Sequence, residues 1–442
     1  MIATKKDIFG GSLLAQPGRG LKGELAVPGD KSISHRAVML GSIASGVTEV
    51  TGFLEGEDNL STIGAFRAMG IEIDHHKDSS VVVIKGKGMR GLAEPADVID
   101  AGNSGTTTRL ITGLLSAQPF FSVITGDSSL RKRPMKRVVE PLTLMGASIA
   151  GRNNGGNLPL AISGRKLKGI SYKTPVASAQ LKSALMLAGI FADGETVIEE
   201  PEKSRDHTER MLALFGAEVK IDKNSVRVQS TNGLNGCKID VPGDISSAAF
   251  FIVGAMITPA SSLLIRGVGV NPTRTGIIDV LRKMGGSVEL QNERVASGEP
   301  VADLLVKTSP LKGVEITGTE LLPAIDEFPI ICIAAAFAEG ATRITGAKEL
   351  RVKESDRIAV MSEALSKVGV RNTELPDGIV IEGMGSASIK GGAIESHGDH
   401  RIAMSMAMAA LRSDKGIEID GAASVDVSFP GFFGQLDRVR VS

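Results

Sequence analysis

Val27-Pro28-Gly29-Asp30-Lys31-Ser32-Ile33-Ser34-His35-Arg36-Ala37 and, far downstream, Val241-Pro242-Gly243-Asp244 are the two passages on which the fold turns. Each bends the chain at Pro-Gly, places an Asp at a helix start and runs into Ser and an Ala-containing helix. A turn used twice in this way reads as two crossings of one hinge, at 27–30 and 241–244. The chain then consists of a discontinuous domain, 1–29 plus 244–442, and an inserted domain, 30–243. Chance alone also repeats four-residue turns, so the division needs support from the rest of the sequence.

That support is a repeat. Helices end in hydrophobe-Gly at Met69-Gly70, Met145-Gly146, Phe215-Gly216, Met284-Gly285 and Val368-Gly369, with a half-match at Phe433-Gly434. The spacing is roughly seventy to eighty residues. Each Gly is expected to adopt the left-handed conformation that stops a helix, and the segments after it (71–73, 217–221, 287–290) alternate as strands do. Six α/β units follow, three to a domain.

Composition narrows the class. A chain of 442 residues exceeds what one hydrophobic core organises, so two domains are expected. Fifty basic residues balance fifty acidic ones, Trp is absent and Tyr occurs once, which leaves neither a global field nor stacking platforms for nucleic acid. Cys237 and Cys332 are far apart in sequence and the His residues are scattered without an HExxH, so no disulfide framework and no metal site are expected. The opening Met1-Ile2-Ala3-Thr4-Lys5-Lys6-Asp7 lacks a signal peptide's apolar core, and a cytoplasmic protein is expected. Residues 245–265 carry no charge over a membrane-spanning length, yet Pro259, Thr258 and the Ser pairs at 246–247 and 261–262 favour a buried helix, a turn and a buried strand.

The chemistry sits at the mouths of apolar helices. Lys31, Ser32 and Arg36 follow the first Pro-Gly turn, where Asp30 or Ser32 caps a helix whose free amides favour an anion. Gly102-Asn103-Ser104-Gly105-Thr106-Thr107-Thr108-Arg109 is either a plain loop or a cradle that lets backbone amides approach an anion. Arg131-Lys132-Arg133-Pro134-Met135-Lys136-Arg137 is a solvated basic loop or a site; Pro134 starting a helix would hold Arg133 at its mouth. Ser178 reads as the cap of an all-round apolar helix, with Gln180 placed for a hydroxyl or carboxylate and Arg205 opening the next helix. Glu354 falls four residues before Ile358, in line with the apolar stripe Ile358, Met361, Leu365 and Val368, which suits proton transfer or a structural ion-pair network. Asp326 opens a buried helix as an acid-base group or as its N-cap, and Arg401 opens another. So many cations at helix mouths favour a cleft between domains that holds more than one phosphate or carboxylate.

Pro28-Gly29-Asp30-Lys31-Ser32-Ile33-Ser34-His35-Arg36, Gly102-Asn103-Ser104-Gly105-Thr106, Arg133-Pro134-Met135, Leu350-Arg351-Val352-Lys353-Glu354-Ser355-Asp356-Arg357 and Asp399-His400-Arg401, in this order, make the chain resemble the 5-enolpyruvylshikimate-3-phosphate synthase family along nearly its whole length. The resemblance implies a two-domain inside-out α/β barrel with three βαβαββ units per domain. It implies transfer of the enolpyruvyl group of phosphoenolpyruvate to the 5-hydroxyl of shikimate 3-phosphate through a tetrahedral intermediate, by a monomer that uses neither cofactor nor metal. Carried over by motif, Lys31, Asn103, Gly105, Arg133, Gln180, Arg357 and Arg401 would contact phosphoenolpyruvate. Lys31, Ser32, Arg36, Ser178, Ala179, Gln180, Arg205, Asp326 and Lys353 would hold shikimate 3-phosphate. Asp326, Lys353, Glu354 and Lys31 would be catalytic, with Glu354 passing the proton to the methylene carbon.

Some members carry a Lys two residues before the Phe of a Ser/Thr-Phe-Pro motif; here Val427 takes that place before Ser428-Phe429-Pro430, and Arg205 is the alternative source of charge. Gly105 implies sensitivity to glyphosate. The sister enzyme acting on UDP-N-acetylglucosamine carries a Cys in the loop before its Arg-Pro, whereas the loop 126–133 here has Ser128 and no Cys, which disfavours that alternative. A nucleic-acid module built on Arg131 to Arg137 is opposed by the balanced charge.

Overall fold

Helix termination organises the structure, a computed structural model that describes residues 12–441. The opening residues read for export lie outside them. Gly70, Gly146, Gly216, Gly285 and Gly369 have φ of 83°, 99°, 94°, 90° and 91°. Each follows the C-cap of a helix: Glu57–Ala68, Lys136–Leu144, His207–Leu214, Gly276–Lys283 and Arg357–Lys367. A side chain there would clash with the backbone, so Gly stops the helix and aims the next strand. Phe433-Gly434 behaves differently. It lies inside the helix Phe432–Val439, and the left-handed residue is Gly431, which precedes that helix with φ 77°. The half-match therefore marks a helix interior, because the pair of letters says nothing of whether the preceding turns are helical.

Five of the six described sheets share one design. Ile99–Asp100 and Phe121–Thr125 run parallel across the helix Gly105–Leu115, and Asn157–Ser163 joins antiparallel to both Phe121–Thr125 and Ser148–Gly151. The order in space is thus first, second, fourth, third. The same order recurs in Ser171–Lys173, Thr196–Glu199, Ser225–Val228, Val219–Asp222 and in Glu315–Ile316, Glu339–Ile344, Gly378–Met384, Asn372–Leu375. Two sheets take their first parallel strand from a distant part of the chain: Lys238–Asp240 lies beside Ser45–Thr51, and Gly20–Ala26 beside Ser262–Gly269. The remaining sheet pairs Gly392–Glu395 with Ile417–Asp420 and recruits Leu13–Ala15. A βαβαββ chain order is the economical way to make such sheets, since a parallel pair needs a crossover and an antiparallel pair only a turn.

Contacts divide the chain into two units, one gathering the chain to Pro28 with Pro242–Arg294 and Pro300–Ser442, the other Gly29–Val241 with Val295–Glu299. Three of the sheets above fall in each. Val295–Glu299 is the tip between the strands Val288–Ala296 and Glu299–Lys307, an excursion that no Pro-Gly turn announces. Each unit has its own apolar core. The uncharged segment 245–265 is the wholly buried helix Ile245–Ile257, a turn, and the start of the strand Ser262–Gly269. No described helix is long and apolar enough to cross a membrane.

Within the second unit, the helices Gly105–Leu115 and Ala179–Gly189 approach closely at Gly113, where a Cβ would sit 2.8 Å from the carbonyl carbon of Ala184 and closer still to its oxygen. Gly113→Ala is expected to cost about 1–3 kcal/mol even though Ala is the better helix former. Gly64→Ala, in the helix Glu57–Ala68 where a Cβ meets nothing within 4 Å, is expected to gain up to about 1 kcal/mol. Thermal unfolding of the two variants checks the opposite signs.

Candidate active site

In the unit of Gly29–Val241, Asp30 rather than Ser32 caps the helix Lys31–Ile43, its Oδ1 accepting from the amide of Ile33 at 3.0 Å. Lys31, in the first turn, pairs with Asp58 at 2.5 Å. Arg36, one turn on, is buried. Its Nε donates to Thr208 Oγ1 (2.6 Å), Nη2 to Ser183 Oγ (2.8 Å) and Nη1 to the carbonyl of Ser32 (2.9 Å). These partners are all neutral. Burial takes its guanidinium down to about 10, against the pull of Glu209 and Asp30 and with the charge of Arg205 adding to the fall. Arg36 and Arg205 thus share one neighbourhood, which also holds the start of the helix His207–Leu214. Two cations and a helix N-terminus there suit a phosphate.

Ser178 caps the helix Ala179–Gly189, so the amide of Ala179 opens it. Gln180, read from sequence as a substrate contact, has its amide engaged: Oε1 accepts from Arg109 (2.8 Å) and Arg137 (3.4 Å), and Nε2 donates to Thr106 Oγ1 (3.0 Å). Arg109 and Arg137 had stood out only as members of polar runs. The signal of Arg109 was positional, one helical turn beyond Gly105, and Arg137 stands in the first turn of the helix Lys136–Leu144. Asn103 is likewise a bracket, donating to Asp127 (2.6 Å) and accepting from Arg133 Nη2 (2.6 Å). Arg133 is therefore steered by a neutral partner. Gly105 begins the helix Gly105–Leu115, and a Cβ on it would lie 2.8 Å from Arg109 Nη1 and 3.5 Å from Arg133 Nη1.

The other unit brings together Asp326, Lys353, Glu354, Arg357 and Arg401. Arg357 opens the helix Arg357–Lys367 and is 1% exposed. Each of its three nitrogens meets a carboxylate: Nε and Asp399 Oδ2 at 2.8 Å, Nη2 and Glu354 Oε2 at 2.7 Å, Nη1 and Asp326 Oδ1 at 3.5 Å. Burial disfavours its charge, but Asp399, Glu354 and Asp326 outweigh burial and hold the guanidinium above its ordinary value. Burial pushes the Asp399 carboxyl up, and Arg357 more than reverses this, holding it below the carboxylate range. Asp399 also caps the helix His400–Ala410 through the amide of Arg401. Arg401 Nη1 donates to the carbonyl of Asp326 (2.9 Å) and lies 3.6 Å from Glu327. Lys353 is 2.9 Å from Glu349 and 3.7 Å from Asp326.

Two sequence expectations need correction. The helix Phe328–Ala336 is preceded by Glu327 with no side-chain cap, and Asp326 lies in the 3₁₀ turn Leu322–Glu327, so its carboxylate reaches Lys353 and Arg357 instead of capping. Glu354 does not continue the apolar stripe, because Asp356 caps the next helix and the helical phase begins only at Arg357. Arg357 holds it in the bend before that helix. Among the described residues, no His, Cys, Asp or Glu cluster has the make-up of a metal site.

Arginines at helix starts in each unit, and carboxylates beside Lys353 and Arg357 in one of them, are the residue types that anion binding and proton transfer require. The fold is that of the enolpyruvyl transferases: the enolpyruvyl transferase NikO from Streptomyces tendae is 16% identical, with a TM-score of 0.79 over 97% of this chain and 98% of that one. The family model for EPSP synthase (3-phosphoshikimate 1-carboxyvinyltransferase) matches residues 15–436, and the chain belongs to that family. The 3-phosphoshikimate 1-carboxyvinyltransferase of Geobacter sulfurreducens is 60% identical over 430 residues, 97% of this chain and 99% of the relative. That of Pelobacter propionicus is 59% identical over 429 residues, again 97% and 99%. An EPSP synthase structure from Acinetobacter baumannii is 51% identical, with a TM-score of 0.88 over 98% of both chains.

His35 lies in the same helix as Lys31 and Arg36, its Nδ1 2.7 Å from Thr62 Oγ1, and burial holds its pKa down at about 3. The folded chain refuses a proton that the unfolded chain accepts near 6.5. Stability is therefore expected to fall as pH drops from 6.5 toward 3, by up to about 1.4 kcal/mol per unit for this one group. Urea unfolding between pH 7 and 5 checks this: His35→Gln is expected to give a shallower slope than wild type.

Proposed function

We propose that Arg36, Arg205, Ser32 and the capped start of the helix Ala179–Gly189 bind shikimate 3-phosphate, and that Arg357 and Arg401 bind phosphoenolpyruvate, with Lys31, Asn103, Gly105, Arg133 and Gln180 adding to its shell. The chain transfers the carboxyvinyl group of phosphoenolpyruvate to the 5-hydroxyl of shikimate 3-phosphate and releases phosphate. The observation that carries the residue assignment is Arg357, held by Asp399, Glu354 and Asp326 beside Lys353 and Arg401.

The chemistry follows from that cluster. The 5-hydroxyl oxygen adds to C2 of phosphoenolpyruvate as a proton adds to C3, and the tetrahedral intermediate then loses phosphate and the C3 proton. One group must give the C3 proton and take one back. Glu354, partly exposed and tethered to Arg357, serves both steps in this reading, while Asp326 takes the hydroxyl proton and the Lys353 ammonium, paired with Asp326 and Glu349, donates to the hydroxyl oxygen. A phosphate brought onto Arg357 adds negative charge beside Glu354, which favours its acid form. Arg401, fixed by its bond to the Asp326 carbonyl, keeps positive charge beside the leaving group. Asn103 and Gln180 act through the guanidinium groups they orient, Arg133 and Arg109. Lys31 leaves Asp58 for substrate in this reading. Cytoplasmic residence, a monomeric state and glyphosate sensitivity belong to the same proposal.

A phosphate-release assay with phosphoenolpyruvate and either shikimate 3-phosphate or UDP-N-acetylglucosamine tests the substrate; turnover is expected with the first only, and turnover with the second only would overturn the reading. Glu354→Gln is expected to bind both substrates yet lose roughly a hundred- to ten-thousandfold in kcat. Gly105→Ala displaces the Arg109 guanidinium and sets a methyl against that of Arg133, so a KM for phosphoenolpyruvate raised about tenfold is expected in steady-state kinetics, with shikimate 3-phosphate little affected.

A further inference from the structure

A buried charge network fastens together the two loops that carry Ser178 and Arg205. Lys182, on the helix Ala179–Gly189, is 2% exposed. Its Nζ lies 2.9 Å from Glu200 Oε2 and 2.8 Å from Glu209 Oε1, and it donates to the carbonyl of Ser204 at 3.3 Å. Glu200 uses its oxygens in two directions. Oε1 accepts from the amide of Ser178 (3.0 Å), and Oε2 accepts from the amide (3.2 Å) and hydroxyl (2.8 Å) of Ser204. One carboxylate thus joins the cap of one helix to the residue just before Arg205.

Stability is only part of what this network supplies. Burial alone would push the Lys182 ammonium down; Glu209 and Glu200 outweigh burial and hold it above the ordinary lysine value. The triad still carries two carboxylates to one ammonium, and Glu209 Oε2 has no hydrogen-bond partner among the described residues. Burying charges in this way commonly returns no more than an apolar cluster of equal volume, so what the network adds is position. Arg36 shows what has to be held: its donors reach Ser183 on the helix Ala179–Gly189 and Thr208 on the helix His207–Leu214, so the spacing of those helices sets where its guanidinium lies.

We propose that Glu200, backed by Lys182 and Glu209, is a positioning residue for the shikimate 3-phosphate subsite, setting the separation of Ser178 from Arg205. The inference rests on the assignment of those two residues to that substrate. Glu200 need not touch substrate, because its effect passes through the two loops it joins.

Glu200→Gln keeps the size but puts an amide nitrogen against either the Ser178 amide or the Ser204 donors and Lys182, so one loop loses its anchor. Expected are a KM for shikimate 3-phosphate raised at least about tenfold, a KM for phosphoenolpyruvate within about twofold of wild type, and a kcat within about threefold. Calorimetry with shikimate 3-phosphate alone should show the same weakening. Glu200→Asp, which keeps the charge, should fall between wild type and Glu200→Gln; a value at or beyond the Gln variant counts against the proposal. A lowered melting temperature or kcat with an unchanged KM for shikimate 3-phosphate overturns it, as does an equal rise in both KM values. Should Glu200→Gln not fold, Ser204→Ala removes only the hydroxyl donor: a rise of about threefold in that KM supports the proposal and no rise overturns it. If the functional assignment itself is wrong, wild type fails to turn over shikimate 3-phosphate, an outcome separate from all of these.

Discussion

Helices without a polar face impose the constraint on which the rest depends. Every residue of Ile245–Ile257 and of Phe328–Ala336 is buried, and nearly every residue of Gly105–Leu115, His400–Ala410 and Lys31–Ile43. Such a helix has no side to give to water, so its polar and charged residues collect in the first turn and in the loop before it. The first turn is also where amide donors lack intrahelical partners and where the helix dipole favours negative charge. Capping by Asp30, Ser104, Ser178, Asp356 and Asp399 satisfies part of that demand in each case. Charged and polar side chains are concentrated at helix starts because burial leaves few other places for them.

The two units hold their arginines in contrasting ways. Arg36 is hydrogen-bonded to neutral oxygens, whereas Arg357 is surrounded by three carboxylates. The first has no negative charge in its hydrogen-bond shell. The second is already surrounded by negative charge, so an anion brought there competes with carboxylates. The same guanidinium group thus sits in two different electrostatic shells.

Much of the fold was legible in the sequence because its signals are short. A left-handed Gly after a hydrophobic residue stops a helix for reasons confined to that turn, and five of the marked positions stop one. Phe433-Gly434 misled because a Gly inside a helix and a Gly after one look alike as letters. The site was legible as a set of residue types at helix mouths, less so as a set of contacts. Asp326 looked like a cap until the 3₁₀ turn placed it beside Lys353, and Glu354 looked like part of a helical stripe until Asp356 set the helix start. Gln180 looked free for substrate, but its amide is divided among Arg109, Arg137 and Thr106.

By itself the sequence determined five helix stops, the caps at Ser178 and at the two Pro-Gly-Asp turns, and the burial of the uncharged helices, since each depends on residues within a few positions of one another. Tertiary structure alone decided which polar groups meet. Arg36 finds Thr208 across 172 positions, Arg357 finds Asp399 across 42, and Glu200 ties Ser178 to Ser204 across 22 and 4. Partner choice of that kind is set by strand register and helix packing summed over a whole unit, and no local pattern of residues encodes it.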